Sequence, residues 1–411
     1  METKIINELW RKVYGKLQDG FKVLTPEWSK LQALKRFTPL SEREVSWPVK
    51  LRFGGGTALT GDGGSPARAM GNRPAEATEQ WSWLARRYQL SLGLVKAQGN
   101  AQLRNAQIFD QMKFQGQDAL ESFRKSVSVL FYGFQDGIQA LINSAAGAPT
   151  YTLKDRYGRT GLFVDTSVFT PGNDYVAVVD PAATTSERGR QKISSVNSAT
   201  PSITLAASVS GAAANDYIVF ANQLDTTAGV HDIDKSFPGL LEHIHATTLH
   251  GITEAAQPEW VPSLRRDKAS AALTEAELFE VFTLAERRSP FSINYALSTP
   301  QVIAQAGGAQ LDKIRYDADP GTIYLGFKNL VTMGVTVMIG TYTPKGYFIA
   351  DSTDSLMKFS PDEEPFAVEE GGSDRHYYGT VLGYFVDLVY RVGLVRLSRA
   401  SLVALYNVKD S

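Results

Sequence analysis

The 411-residue sequence predicts an α+β fold with a small β-barrel or sandwich domain set into it. Three observations lead there. Leu120, Phe123, Val127, Leu130, Phe134, Ile138 and Leu141 recur at the three- and four-residue intervals of a helix buried along one side. From Tyr151 to Asn222 the composition turns to Thr, Ser, Val, Gly and Ala with frequent turn residues, the pattern of short strands. Ahead of both lies a segment whose apolar stripes are too small to form a core of their own.

Composition narrows the classes of function. With 42 Lys+Arg against 43 Asp+Glu the net charge is -1, so no global positive excess exists to neutralise nucleic-acid phosphates. The absence of Cys excludes disulfides, thiolate metal sites and a Cys nucleophile. A hydrophobic content of 43% supports sizeable cores. No apolar run reaches the length of a signal peptide or of a membrane span, and the chain is expected to be soluble and intracellular.

Taken in order, Ile6, Leu9, Trp10, Val13 and Leu17 form the apolar stripe of a short amphipathic helix over residues 2 to 17. Residues 44 to 53 alternate as a strand and Trp81 to Leu94 read as its partner, with a polar tip between them in which Gly54, Gly55, Gly56, Gly61, Gly63, Gly64 and Gly71 leave little to bury. Such a two-stranded ribbon must lie on something, because an isolated hairpin is marginal in water. The long helix is read over Asn105 to Asn143, about 50 Å at 1.5 Å per residue. Beyond Tyr151, strands are expected at Gly161–Val164, Tyr175–Val179, Gln191–Val196, Ser202–Leu205 and Asp216–Ala221. Thr274 with Glu277 is a capping box that opens a helix through Arg288. Phe291–Ser298 is a strand, Pro300–Ala306 a short helix, Val335–Ile339 and Tyr347–Ala350 strands, and Tyr377–Leu397 a long strand pair or ribbon.

Chemistry-bearing clusters are few. His243 and His245, read on a strand, stand near His250, with Glu242 adjacent and His231 upstream, yet their spacing matches no zinc ligand grid and the expectation is satisfied or surface histidines. The glycine-rich run from Gly54 lacks the Lys-Ser or Lys-Thr of a phosphate loop, and no Gly-Xaa-Ser-Xaa-Gly elbow occurs. Asp362, Glu363, Glu364, Glu369 and Glu370 lack calcium-loop spacing, and Arg86, Arg87, Arg287 and Arg288 read as ion-pair partners. No catalytic residue, cofactor or metal is assigned, and the chain is expected not to be an enzyme.

The order of arm, glycine-tipped ribbon, long helix, mixed portion and late long strand resembles the major capsid proteins of tailed phages, the Hong Kong 97-type shell fold. Val45–Leu94 is similar to the family's extended loop and Asn105–Asn143 to its spine helix, ending in Leu141-Ile-Asn-Ser. Phe237-Pro-Gly-Leu240 resembles a recurrent Gly-Leu segment, and Leu273–Gln305, through Ser298-Thr-Pro300, resembles the axial domain. Gly334-Val-Thr-Val-Met with Thr343-Pro-Lys-Gly-Tyr-Phe-Ile-Ala is similar to its inner strands, and Val368-Glu-Glu, Asp374-Arg-His-Tyr and Phe385–Ser398 to its closing long strand.

The resemblance implies an arm at 1–43, an extended loop at 44–95, a peripheral domain with the spine helix at 96–150, an inserted β domain at 151–224, an axial domain at 225–359, peripheral long strands at 360–397 and a C-terminal axial strand at 398–411. Intersubunit contacts are then expected from Ile6, Leu9, Trp10, Val13 and Leu17 of the arm and from Trp47, Phe53, Gly54, Gly55, Gly56, Gly63, Gly64, Trp81 and Trp83 of the loop. The family's Lys-to-Asn crosslink needs a loop lysine, and Lys50 is the ribbon's single Lys before Lys96. The implied function is a structural subunit that assembles with itself, as hexamers and pentamers, into an icosahedral phage head. Its implied partners are a separate scaffolding protein, a portal protein at one vertex and a decoration protein, with packaged DNA enclosed but not read and no membrane contact. The implied location is the virion, with assembly in the host cytoplasm. An encapsulin-type compartment shell is the nearer alternative, and a soluble metalloenzyme using His243, His245 and His250 the alternative of a different class.

Overall fold

The computed structural model describes residues 26–37, 44–51, 74–91, 118, 120–145, 149–161, 164–172, 174–182, 187–221, 236–311, 329–332, 335–361, 366–367, 376–377 and 383–409. The arm stripe and the glycine tip read from the sequence lie outside them, as do His231 and the acidic residues of 362–364 and 369–370.

Helix α1 (Pro26–Ala33) opens on a proline, which is pre-set for the first turn, and buries Trp28 and Leu31. Strand β1 (Lys35–Phe37) follows. Strands β2 (Glu44–Lys50) and β3 (Pro74–Gln80) pair antiparallel from Glu44↔Gln80 to Lys50↔Pro74. Alternation turns Val45, Trp47 and Val49 to one face, where Ala77 stands opposite Trp47 and Ala75 opposite Val49, small against large.

The partner of β2 is therefore Pro74–Gln80 and not Trp81–Leu94. The stretch read as its partner becomes β4 (Ser82–Ser91), which pairs elsewhere. Ala75 and Ala77 alternate with Glu76 and Thr78, so β3 carries almost no apolar signal in the sequence although its inward face is filled.

Helix α2 runs through residues 120–131 and buries Leu120, Phe123, Val127 and Phe131. It stops well before Asn143. The amide of Gly133 donates to Leu130 O at 2.8 Å, and Gly137 takes φ 72°, which L side chains avoid. Residues Ile138–Ala145 are strand β5. Ile138 and Leu141 fit a helical interval by coincidence; as a strand, Ala140 and Ile142 point into a new core.

That core belongs to a closed barrel of β5, β6 (Thr150–Lys154), β7 (Tyr175–Val179), β8 (Glu187–Asn197), β9 (Ser202–Leu205) and β10 (Tyr217–Ala221), in the order β10-β5-β6-β9-β8-β7. It begins at Ile138, ahead of the expected boundary at 151. Of the stretch expected as a strand at Gly161–Val164, the described residues Gly161 and Val164 are not in a strand; Gly161 takes φ 70° and a 3-10 turn at Thr166–Val168 follows, capped by Asp165. Tyr151, Leu153, Val176, Val178, Ile193, Ile203, Leu205 and Ile218 fill the interior. Closure removes the unpaired edges that an open sheet of this size would expose.

Past the barrel come α3 (Leu240–His245) and a small hairpin of β11 (Thr248–Leu249) and β12 (Ile252–Thr253). Then follow β13 (Leu264–Asp267), α4 (Glu275–Arg288), β14 (Tyr295–Ser298), α5 (Pro300–Leu311), β15 (Asn329–Thr332), β16 (Val335–Ile339) and β17 (Phe348–Asp351). The chain leaves this region through β18 (Leu356–Phe359), β19 (Phe366–Ala367), β20 (His376–Tyr377) and the 14-residue β21 (Gly383–Arg396), and returns as β22 (Val403–Tyr406).

Two sheets result. The axial sheet has the order β13-β22-β17-β14-β16-β15 and is covered on both faces. Ala296, Phe348, Ala350, Val403 and Leu405 meet Leu278, Val281 and Phe282 of α4 and Val302 of α5. The alternate residues Tyr295, Leu297, Ile349 and Ala404 meet α1, α2 and β21. Burial of both faces is why β14, β17 and β22 read as continuous apolar runs. In the second sheet β21 is the axis: β4 pairs with it from Ser91↔Gly383 to Ser82↔Val392, and β18, β19 and β20 pair along its other edge.

Candidate assembly interface and the junction behind it

The ribbon base is held by a buried polar junction where β2, β3, α3, β17 and β21 converge. Arg396, the last residue of β21, and Asp351, the last of β17, are both 0% exposed and form a two-pronged pair at 2.8 and 2.6 Å. Asp351 also accepts from its neighbour Ser352 N at 2.8 Å and from Tyr295 OH at 3.3 Å, so the carboxylate is fully engaged. A buried pair survives only with such partners, because both charges have given up water.

From Arg396 the network runs outward. Its Nε donates to His243 Nδ1 at 3.0 Å, and its backbone carbonyl accepts from Trp47 Nε1 at 3.1 Å. Trp47 meets His250 edge-on at 5.1 Å, and His250 Nδ1 sits 2.7 Å from Glu79 Oε2. Desolvation first, then Arg396, holds His243 well below the ordinary imidazole value, so the ring is neutral.

Arg399 closes the other side. Its guanidinium donates to the carbonyls of His243 (2.7 Å), Ile244 (3.3 Å) and Ala246 (2.7 Å), which end α3, and pairs with Glu254 at 2.9 Å. A cation on the last carbonyls complements the helix dipole. Burial pulls Arg399 down to about 10, against the pull of Glu254, and leaves it charged at neutral pH.

Two further contacts fix the parts. Glu27 of α1, 0% exposed, accepts from Tyr342 N at 2.9 Å and Tyr132 OH at 3.3 Å. Desolvation raises its pKa above the ordinary value. The barrel meets the axial sheet where Tyr157, Tyr347 and Tyr406 surround His245 with ring centroids 5.0 to 6.0 Å away, and Arg159 lies over Tyr157 and Tyr347. Burial brings His245 down to about 3, so an uncharged ring packs among the tyrosines.

The loop residues read from the sequence divide. Trp47 and Trp81 are each 6% exposed and packed inside their own chain, Trp47 in the ribbon base and Trp81 against Phe359 at 5.2 Å. Their bulk serves this core, which corrects their assignment to a neighbour's surface. Trp83 stands opposite Arg391 in the β4–β21 ladder. Ile6, Leu9, Trp10, Val13, Leu17, Phe53, Gly54, Gly55, Gly56, Gly63 and Gly64 lie outside the described residues.

His243 and His245 sit on helix α3 rather than on a strand; His243 meets His250 with ring centroids 5.1 Å apart, while His245 lies among Tyr157, Tyr347 and Tyr406, so the three do not converge on one ligand. Among the described residues no group of three or more His, Cys, Asp or Glu is placed to hold a metal ion, and no helix is long and apolar enough to cross a membrane. Sequence reasoning missed Asp351, Arg396 and Arg399. The available signal was a charge closing an apolar strand run, in Phe348-Ile-Ala-Asp351 and in Gly393-Leu-Val-Arg396.

A ribbon, a spine helix, an axial sheet and a long-strand sheet joined in this way define the Hong Kong 97-type shell fold. The cyanophage A-1(L) capsid asymmetric unit is similar over 95% of this chain and 94% of its own, with a TM-score of 0.53 and 13% identity. The capsid of a native GTA particle covers 94% of this chain and 92% of its own at TM-score 0.47 and 9% identity, and the SrpI encapsulin of Synechococcus elongatus PCC 7942 covers 94% and 89% at 0.39 and 11%. No protein-family model and no curated protein sequence matches the chain.

Proposed function

We propose that the chain is the major capsid protein of a tailed bacteriophage, a structural subunit that assembles with copies of itself into the icosahedral head shell around the genome. The observation that carries this reading is the extent of the fold match, which takes in 95% of the chain. The charge balance of 42 against 43 agrees with a wall that encloses DNA without gripping it. Pairwise contacts of about -4 to -8 kcal/mol, millimolar to micromolar, let misplaced subunits leave before the shell closes.

Hexamers and pentamers form the wall, assembly takes place in the host cytoplasm, and a portal protein replaces one pentamer. A scaffolding protein docks on the arm stripe of Ile6, Leu9, Trp10, Val13 and Leu17, an apolar face that so short a helix cannot bury within itself. The barrel is an addition to the shell fold, and a decoration protein is a further partner of the shell. Co-expression with and without the candidate scaffold, followed by negative-stain microscopy, tests the reading: uniform closed shells support it, and a chain that stays monomeric under both conditions refutes it. Trp10→Ala with Leu17→Ala reduces correctly sized shells if the arm docks the scaffold; uniform shells from that variant without any partner exclude the role.

A further inference from the structure

Each strand of the ribbon base is tied to the body at its own place. On β2, Trp47 Nε1 donates to the carbonyl of Arg396 at 3.1 Å. On β3, two ties go to one residue, His250, at the tip of the β11–β12 hairpin. Its carbonyl accepts from Thr78 N at 3.1 Å, and its ring Nδ1 donates to Glu79 Oε2 at 2.7 Å. The same ring meets Trp47 edge-on at 5.1 Å on the ribbon side and His243 at 5.1 Å on the body side. His243 is held by Arg396 Nε at 3.0 Å, and Arg396 by Asp351, so the ring has a fixed backstop.

The hairpin presents this residue. Leu249 pairs with Ile252, so the turn has two residues, His250 at φ 53° and Gly251 at φ 78°. Positive φ at both central positions is the requirement of a type I′ turn, where Asn, Asp or Gly usually stands first. His250 keeps that backbone and adds a ring long enough to meet β2, β3 and α3 together.

We propose that His250 is the positioning residue that sets the angle at which the ribbon leaves its subunit and, resting on the capsid reading, that this angle fixes the curvature with which subunits join. Val45, Trp47 and Val49 pack against Leu249, Ile252 and Trp260 and hold the ribbon down, but apolar contact has no direction of its own. Directional ties decide the angle. The Trp47 bond on β2 alone is a pivot, and the His250 bonds on β3 remove the rotation about it. A tilt at the base grows along the ribbon: at about 3.3 Å per residue, a point about nine residues out moves about 5 Å for a tilt of about 10°, enough to break a side-chain contact with a neighbour.

Spin-label distances within the full chain test this. The sequence has no Cys, so Lys50→Cys at the end of β2 and Glu286→Cys on the exposed side of α4 take one nitroxide each, with the labelled chain diluted into unlabelled chain. The otherwise unaltered chain is expected to give one narrow distance distribution. His250→Asn keeps a residue suited to the turn and removes the ring. It is expected to widen the distribution by about 2 Å, the travel of a point about three residues from the pivot for a tilt of about 10°. Glu79→Gln, whose amide oxygen still accepts from Nδ1, is expected to keep the narrow distribution, and Glu79→Ala to widen it. A residue that only adds stability would lower the melting temperature and leave the width as it was, so an unchanged width in folded His250→Asn overturns the proposal. Should His250→Asn not fold, Glu79→Ala decides by the same reading. Assembled with the scaffold, His250→Asn is expected to give shells of mixed diameter; the uniform diameter of the unaltered chain would overturn the step from angle to curvature. An unaltered chain that forms no shell refutes the capsid reading, and the spin labels still decide the angle.

Discussion

Asp351 and Arg396 show what a single residue contributes here, because each is 0% exposed and neutralises the other. Asp351→Ala leaves a guanidinium buried without its counter-charge and is expected to cost about 3–5 kcal/mol in denaturant melts; a loss below about 1 kcal/mol would show that water replaces the carboxylate. Glu27 gives the opposite kind of test. Burial raises its pKa, so the folded state binds its proton more readily than the unfolded state does. The resulting stability is present below the ordinary value of 4.5 and is lost as pH rises through the raised folded value. Glu27→Gln, which keeps an acceptor for Tyr342 N, is expected to raise the melting temperature at pH 7 relative to the parent and to leave it nearly unchanged at pH 3; equal effects at both pH values would place the charge in solvent. These residues were not legible in the sequence. A lone Glu in a short helix and an Arg ending an apolar run look like surface charges until the third dimension brings Tyr132 and Asp351 to them.

At the scale of elements, local signals were legible where the stabilising contacts are local. The capping box of α4 is present as read, with Thr274 Oγ1 accepting from Glu277 N at 3.4 Å and Glu277 Oε2 accepting from Thr274 N at 3.0 Å. Thr274→Ala is expected to cost about 1 kcal/mol, seen as a lower melting temperature, with the fold unchanged. Strands β7 and β9 fall where turn residues bracket branched ones. What the sequence did not show is pairing at a distance. Ile138 and Leu141 satisfy a helical spacing and a barrel strand equally, and only the neighbours β6 and β10 decide between them. β4 carries strand residues that fit any partner, and its partner β21 lies about 300 positions further on.

Gly239 is the clearest close approach between elements. A Cβ there would stand 2.6 Å from Gly133 O and 2.7 Å from Leu130 O, because α3 begins directly on the end of α2. Gly239→Ala is expected to shift α3 and with it His243, lowering stability well beyond the few tenths of a kcal/mol of an ordinary surface change. An unchanged melt would show that α3 can move without loss.

For the whole molecule, the barrel closes around a core of its own. Its first and last strands are neighbours, with Val219 opposite Ile138, so the chain enters and leaves at one place. Replacing residues 138–221 by a short Gly/Ser linker is expected to keep the axial and long-strand sheets, with some loss of stability because the Tyr157 and Arg159 contacts to Tyr347 go with it. An insoluble product even with its scaffold would make the barrel part of the main core. The central claim, that these sheets form one subunit of a closed shell, is tested most directly by electron cryomicroscopy of particles assembled from the purified chain and its scaffold. The expected density is an icosahedral shell in which the ribbon that starts at β2 and returns through β3 lies over an adjacent subunit, with the barrel standing clear of the shell wall. Particles without icosahedral order, or a ribbon folded back on its own subunit throughout, would contradict it.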